Sequence, residues 1–195
     1  MNLENLSFID NGVSYFTNIN WHFRYGKIYA LIGDTTVNVL LRVLCGLLPI
    51  TIGNIKKEEN DIAFFLNDMD FLDDLNVDEI IEEVSSKNFS KEKIDIWLEQ
   101  LDLFKDKKTK IKHCLKNQLK KLGILCTLVQ ESKIILIEDI FKDLPASDID
   151  KVKELFIKLR SEGYLIVLSG RFKNDFLYFA DNILELEKGS LNEIL

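Results

Sequence analysis

The sequence predicts an α/β fold, a mostly parallel sheet flanked by helices, with an antiparallel β subdomain at the N-terminus and a short helical subdomain. Three observations predict it. Apolar runs at residues 27–32, 62–66, 134–137 and 164–168 are separated by segments with helical spacing. Strands joined by helices form parallel sheets covered on both faces, so their strands read as continuous apolar runs. Residues 1–26 alternate instead, through Leu6, Phe8, Tyr15, Ile19, Trp21 and Phe23, as a half-buried antiparallel sheet does. Finally, 195 residues with 47% hydrophobic and 29% charged side chains suffice for one globular core.

Each element follows in order. The run at 27–32 stops at Gly33, and residues 36–48 continue with helical spacing of Val39, Leu40, Val43, Leu44 and Leu47. After the strand at 62–66, residues 77–84 and 91–104 read as helices, the second amphipathic through Ile94, Trp97, Leu98 and Leu101. A longer helix is expected at 115–129. The strand at 134–137 is closed by Glu138 and Asp139. Residues 147–160 read as a helix with Asp148 and Asp150 in its first turn, where carboxylates favour the helix dipole. After the strand at 164–168, residues 182–191 predict a hairpin turning at Lys188-Gly189. The whole chain, 1–195, reads as one domain with the β subdomain at about 1–26 and a helical insertion at about 69–121.

Charge and termini exclude several functions. With 32 acidic and 25 basic residues the net charge is -7, which argues against nucleic acid as a partner. The densest basic stretch, 105–112, reads as a solvated helix end or loop. Cys45, Cys114 and Cys126 are scattered without Cys-x-x-Cys spacing, as expected of reduced cytosolic thiols. His22 and His113 are far apart, so no zinc site is expected. Cys114 beside His113 is a sequence neighbour and not a nucleophile with its base. Asn2, Glu4 and Asp10 interrupt the N-terminus, which predicts no signal peptide. The most apolar stretch, 37–52, carries Asn38 and Arg42 and falls short of the ~20 clean residues a spanning helix needs. Work at a membrane is therefore expected to go through a partner.

Ligands of open parallel sheets sit at the carboxyl ends of strands. Three such ends carry polar groups: Gly33-Asp34-Thr35-Thr36, Glu138-Asp139 and Ser169-Gly170-Arg171. A strand that runs into a glycine turn and then a helix has the shape of a phosphate loop, where helix N-terminal amides face an anion.

The order of segments resembles the nucleotide-binding subunit of ATP-binding-cassette (ABC) transporters along nearly the whole chain. Leu3-Glu-Asn-Leu-Ser-Phe8 and Asn18-Ile-Asn-Trp-His-Phe-Arg-Tyr-Gly-Lys-Ile-Tyr-Ala-Leu-Ile-Gly33 look like that family's opening. Leu40-Leu-Arg-Val-Leu-Cys-Gly-Leu-Leu48, with Gly53-Asn-Ile55 beyond it, looks like the helix after its phosphate loop. Phe71-Leu-Asp-Asp-Leu-Asn-Val-Asp-Glu79 looks like the stretch after its glutamine loop, and Ala180-Asp-Asn-Ile-Leu-Glu-Leu-Glu-Lys-Gly189 like its closing hairpin. The resemblance implies a P-loop NTPase-like fold with ATP and magnesium as cofactors. It also implies a second ABC subunit, identical or not, and a membrane permease as partners, and a place at the cytoplasmic face of the membrane. Residues 67–80 would supply the permease-docking region, where the apolar Phe71, Leu72 and Leu75 suit either a permease groove or a contact within the subdomain core.

The phosphate-facing positions depart from the family. An active loop reads G-x-x-x-x-G-K-[ST], its lysine reaching the β- and γ-phosphates. Counting back from Leu40-Leu41-Arg42 puts Val37 at the lysine and Asn38 at the magnesium hydroxyl, in a loop about two residues short. Matching Gly33-Asp34-Thr35-Thr36 to Gly-Lys-Thr-Thr puts Asp34 there instead. Neither alignment supplies a cation, and losing a charge-assisted contact removes roughly 1.5–3 kcal/mol. The plainer reading is that Asp34 or Thr35 caps the helix.

The acidic pair of the family, Asp then Glu, is reversed here to Glu138 then Asp139, with Glu138 and Asn38 left as magnesium candidates. Hydrolysis needs an in-line water placed at the ångström scale, which the reversal disturbs. The signature loop Leu-Ser-Gly-Gly-Gln corresponds to Cys114-Leu115-Lys116-Asn117-Gln118, whose side chains replace the glycines that let backbone amides approach a phosphate. Asn67 stands at the glutamine of the glutamine loop, Arg171 at the switch histidine and about Asp10 at the adenine-stacking aromatic. Three functions follow as expectations: a degenerate, poorly hydrolysing subunit that pairs with another subunit and docks on a permease; a working ATPase with a non-standard site; and a detached regulatory or immunity-type binding module.

Overall fold

The computed structural model describes residues 1–57, 62–86 and 89–195. Two positions of the expected helical insertion, 87 and 88, lie outside the described residues.

The chain opens with β1 (Asn2–Asp10) and β2 (Val13–His22), an antiparallel hairpin turning at Asn11-Gly12. Both turn residues adopt positive φ, as a two-residue hairpin turn requires. After β3 (Lys27–Gly33) and α1 (Thr36–Leu44) comes β4 (Ile52–Lys56), which pairs with β1. The small sheet therefore has the order β2-β1-β4. Its third strand lies beyond the first 26 residues.

The remaining elements are β5 (Ala63–Phe65), α2 (Val77–Val84), α3 (Lys91–Gln100), α4 (Lys116–Leu128), β6 (Ile134–Ile137), α5 (Ala146–Ser161), β7 (Leu165–Gly170), β8 (Asn182–Glu187) and β9 (Ser190–Glu193). The central sheet runs β5-β6-β7-β3-β8-β9; every pair is parallel except the closing β8–β9 hairpin, which turns at Lys188-Gly189.

The core lies on both faces of that sheet, and alternation along the strands decides which residue faces which layer. Ile28, Ala30, Ile135, Ile137, Ile166 and Leu168 join α4, α5 and the helices α2 and α3. Their neighbours Tyr29, Leu31, Ile134, Leu136, Leu165 and Val167 join α1 and the small sheet. Each such side chain contributes roughly 1.5–3 kcal/mol on leaving water, before chain entropy is subtracted.

Two helices end sooner than their apolar spacing predicts. The first stops at Leu44, because Gly46 takes φ +79° and turns the chain away, leaving Leu47 exposed. The third stops at Gln100, where Asp102 adopts φ +52°, and a single 3₁₀ turn follows at Phe104–Asp106. Local capping explains the starts. Asn76 and Glu79 form a reciprocal capping box on α2, and Ser90 caps α3 by accepting from the Lys93 amide.

Candidate functional site

The carboxyl ends of β3, β6 and β7 converge, as the parallel sheet requires. Gly33, Asp34, Thr35, Val37, Asn38, Asp139 and Arg171 line one cavity of about 390 Å³. Gly33 has to be glycine: at φ +149° an added Cβ would stand 2.5 Å from the carbonyl oxygen of Leu186.

Asp34 caps α1. Its Oδ1 accepts from the Thr36 amide at 2.8 Å and from the Thr36 hydroxyl at 2.6 Å. These bonds hold the Asp34 carboxyl below its ordinary range. Thr35 makes no side-chain cap. Val37 is 3% exposed and packs in the apolar layer with Leu40, so its side chain is a core group. Asn38 is half-buried, and its backbone oxygen accepts from Arg42 Nη1 at 3.2 Å.

The acidic pair is held by the chain's own groups. Glu138 is 2% exposed, and its Oε2 accepts from the Asn67 amide at 2.9 Å. Arg42 approaches the same oxygen at 3.8 Å while pairing with Asp68 at 2.8 Å. That guanidinium holds the Asp68 carboxyl below its ordinary range. Asp139 adopts left-handed φ +44°, a conformation that costs a non-glycine residue about 1 kcal/mol or more. Its amide donates to Ser169 Oγ at 2.9 Å, and its Oδ2 accepts from Asn67 Nδ2 at 3.1 Å.

A further group completes the cluster, one that sequence reasoning missed. Lys120 on α4 is 5% exposed and donates from Nζ to the Glu138 carbonyl at 2.6 Å and to Asn67 Oδ1 at 3.3 Å. Its ammonium also lies 5.3 Å from the centre of the Phe65 ring. Burial pushes its pKa down to about 8, against the pull of Asp139 and Glu138. Asn67 is thus bonded on every side: by Glu138 at its amide, by Asp139 and by Lys120 at its carboxamide.

Residues 114–118, expected at the signature loop, do not line the Gly33 cavity. Cys114 and Lys116, with Asn67 and Lys120, line a different cavity of about 740 Å³. Burial raises the Cys114 thiol. Leu115 is exposed, and its amide donates to Gln118 Oε1 at 2.7 Å, closing the first turn of α4. Asn117 Nδ2 lies 3.5 Å from Asp148 Oδ2, an oxygen that also pairs with buried Lys121 at 3.1 Å.

These groups do not assemble a magnesium site. The two magnesium candidates do not share a cavity: Asn38 lines the Gly33 cavity, while the Glu138 carboxylate is turned to Asn67 and Arg42. Among the described residues no group of three or more His, Cys, Asp or Glu gathers as a metal would need. Nor is any helix among them long and apolar enough to cross a membrane.

No protein-family profile matches the chain. It is 24% identical over 203 residues to the xylose import ATP-binding protein XylG of Geobacillus kaustophilus, covering 91% of this chain but only 40% of that protein's length. It is 22% identical over 194 residues to an ABC transporter ATP-binding protein of Methanocaldococcus jannaschii, covering 96% and 74%. A third relative is the lantibiotic transport ATP-binding protein SrtF of Streptococcus pyogenes, at 22% over 185 residues, covering 89% and 81%. Among solved structures, an ATP-binding subunit of an ABC transporter superposes with a TM-score of 0.88 at 17% identity, covering 99% of this chain and 89% of that one. An inward-facing, putative metal-chelate type ABC transporter gives 0.85 at 21%, covering 98% and 81%. The chain has the ABC ATPase-like α/β fold, and its similarity to these ATP-binding proteins runs along most of its own length.

Proposed function

We propose that the chain is an ABC-type subunit that has given up efficient ATP hydrolysis and acts as a pairing and docking partner. In this reading it joins a second ABC subunit, identical or not, and sits on a membrane permease at its cytoplasmic face. The observation that carries the reading is the occupation of the acidic pair: the Glu138 carboxylate is taken by the Asn67 amide and Arg42, and Asp139 by Asn67. Asp34 adds a carboxylate to the loop where a phosphate would lie, and Val37 is too buried to be exchanged for a lysine's role. Two unit charges of like sign at ~4 Å repel by about 1 kcal/mol in water and by more at a partly dry surface. The groups present therefore do not fit a magnesium triphosphate in the family's usual pose, and no reaction step is assigned through it.

Docking would use the stretch from Asn67 to Ile80. Leu72 is exposed there, while Phe71 and Leu75 are half-buried against the core. The deciding experiment is thermal unfolding with millimolar ATP and magnesium. A ligand at about 100 times its dissociation constant stabilises by about 2.7 kcal/mol. No shift is expected; a shift of several degrees overturns the reading. A second reading, a working ATPase with an unusual site, is favoured by Arg171, which lines the Gly33 cavity together with Asp139. It predicts that same shift, abolished by Arg171→Ala.

A further inference from the structure

Another cavity, of about 400 Å³, opens where the end of β2 meets the starts of β3 and β8, at the opposite end of the central sheet from Gly33. It shares no residue with the Gly33 cavity or with the stretch from Asn67 to Ile80. Its apolar walls are two aromatic rings, Trp21 and Tyr29, and its polar groups are Arg24, Lys27, Asn182 and Glu193, with His22 exposed beside them. A few polar groups among aromatic walls, at this volume, are what a small-molecule site is made of.

Several donors here are unspent. Arg24 is exposed and enters no ion pair among the described residues, while its amide donates to the Tyr29 hydroxyl at 2.9 Å. Tyr29 is 3% exposed, and its own hydroxyl hydrogen has no acceptor among the described residues. Burial raises its pKa, so the phenol keeps that hydrogen. Trp21 Nε1 is buried with no hydrogen-bond partner among the described residues. The Glu193 carboxylate already accepts from the Asn182 carboxamide. Behind the wall, Asp181 pairs with Lys27 at 3.1 Å and with Arg160 at 3.6 Å. Counting His22 as neutral, Arg24, Lys27 and Arg160 face Asp181 and Glu193, a positive excess on a chain whose net charge is -7.

We propose that this cavity binds an aromatic monocarboxylate. The Arg24 guanidinium and the Tyr29 hydroxyl donate to the carboxylate oxygens, and the aromatic body lies against the Trp21 indole. A planar carboxylate matches the guanidinium fork, and its single charge matches the excess. A phosphate dianion overshoots that excess and is repelled by Glu193. A carboxylate oxygen seated there also offers the indole N–H the acceptor it lacks, and a buried unpaired donor is costly to leave. A neutral amide of the same ring forms only uncharged hydrogen bonds, about half as strong.

The test is titration of the isotope-labelled chain with naphthoate at about pH 7, where the carboxylate is ionised, followed by NMR of the indole N–H groups. The chain has two tryptophans, and Trp97, 2% exposed in the other apolar layer, is the internal control. The Trp21 signal should shift and saturate with a dissociation constant below about 1 mM, while that of Trp97 stays in place. Naphthamide should bind about ten-fold more weakly. Naphthoate should lose about as much on Arg24→Ala, a variant that leaves the backbone bond to Tyr29 untouched. Acetate, which carries the charge without the ring, should leave Trp21 unshifted at the same concentrations. The proposal is overturned by a Trp21 signal that does not saturate or moves in parallel with Trp97, by equal affinity for naphthoate and naphthamide, by unchanged affinity in Arg24→Ala, or by an acetate shift equal to that of naphthoate.

Discussion

The ammonium of Lys120 lies 2.6 Å from the backbone oxygen of Glu138, so a helix side chain closes the end of a buried strand. Its burial sets the sign of a pH effect. The folded chain holds this proton with a pKa of about 8, the unfolded chain near 10.5. Between those values the unfolded state binds more protons, so stability rises with pH, the reverse of a lysine stabilised by a salt bridge. Urea unfolding of the wild type against Lys120→Met should show a gap that is constant below about pH 8 and shifts in favour of the wild type by a few kcal/mol by about pH 10.5. A gap that stays flat across this window refutes the assignment.

Asp34 both caps α1 and places a negative charge in the Gly33 cavity. Asp34→Lys should therefore have two opposite effects. Loss of the cap lowers stability by about 1 kcal/mol. Reversal of the charge should tighten tripolyphosphate binding by about ten-fold or more, measured by calorimetry. Unchanged affinity would mean that the cavity does not sense this carboxylate.

Lys121 and Asp148 form a buried pair, 5% and 8% exposed at their side chains. Lys121→Met alone leaves a buried carboxylate with only a long bond from Asn117, and should cost about 3–5 kcal/mol. Lys121→Met combined with Asp148→Leu should recover most of that loss. A double-mutant cycle in denaturant measures the coupling; a double variant as weak as the single one contradicts it.

Gly123 lies in the middle of α4, where alanine ordinarily gains up to about 1 kcal/mol. Here an added Cβ would stand 2.4 Å from the Phe65 ring. The ring is walled in by Phe71, stacked 6.0 Å away, so the overpacking cost of about 1–3 kcal/mol should win. Gly123→Ala should lower the melting temperature by several degrees, and a rise would show that Phe65 has room to move.

The sequence made the central sheet legible because its strands are apolar on both faces and end at glycine or acidic residues. It hid β4, whose residues are mostly exposed and whose strand character comes from pairing with β1. The convergence of Gly33, Asp139 and Arg171 was readable from strand-end topology alone. Lys120 was not. A lysine in a helix reads as a solvated group, and nothing local marks this one, two residues before the apolar stretch that starts at Leu122, as buried. Arg42 likewise had no place in the site until the fold set it beside Glu138 and Asp68.

The pairing of β4 with β1 has a consequence for how the molecule comes apart. Ser7 and Ile52 are register partners, so the hairpin's first strand and the segment after α1 close a loop that contains β3 and the whole Gly33 turn. Closing such a loop carries an entropic penalty that grows only slowly with its length, but the reward arrives only when both ends are in place. β3 lies within the loop that the small sheet closes and pairs with β7 and β8 of the central sheet, so each sheet orders a segment whose boundary the other holds. Two layers that differ in strand direction should therefore behave as a single cooperative unit, and calorimetry should record one transition with matching calorimetric and van't Hoff enthalpies.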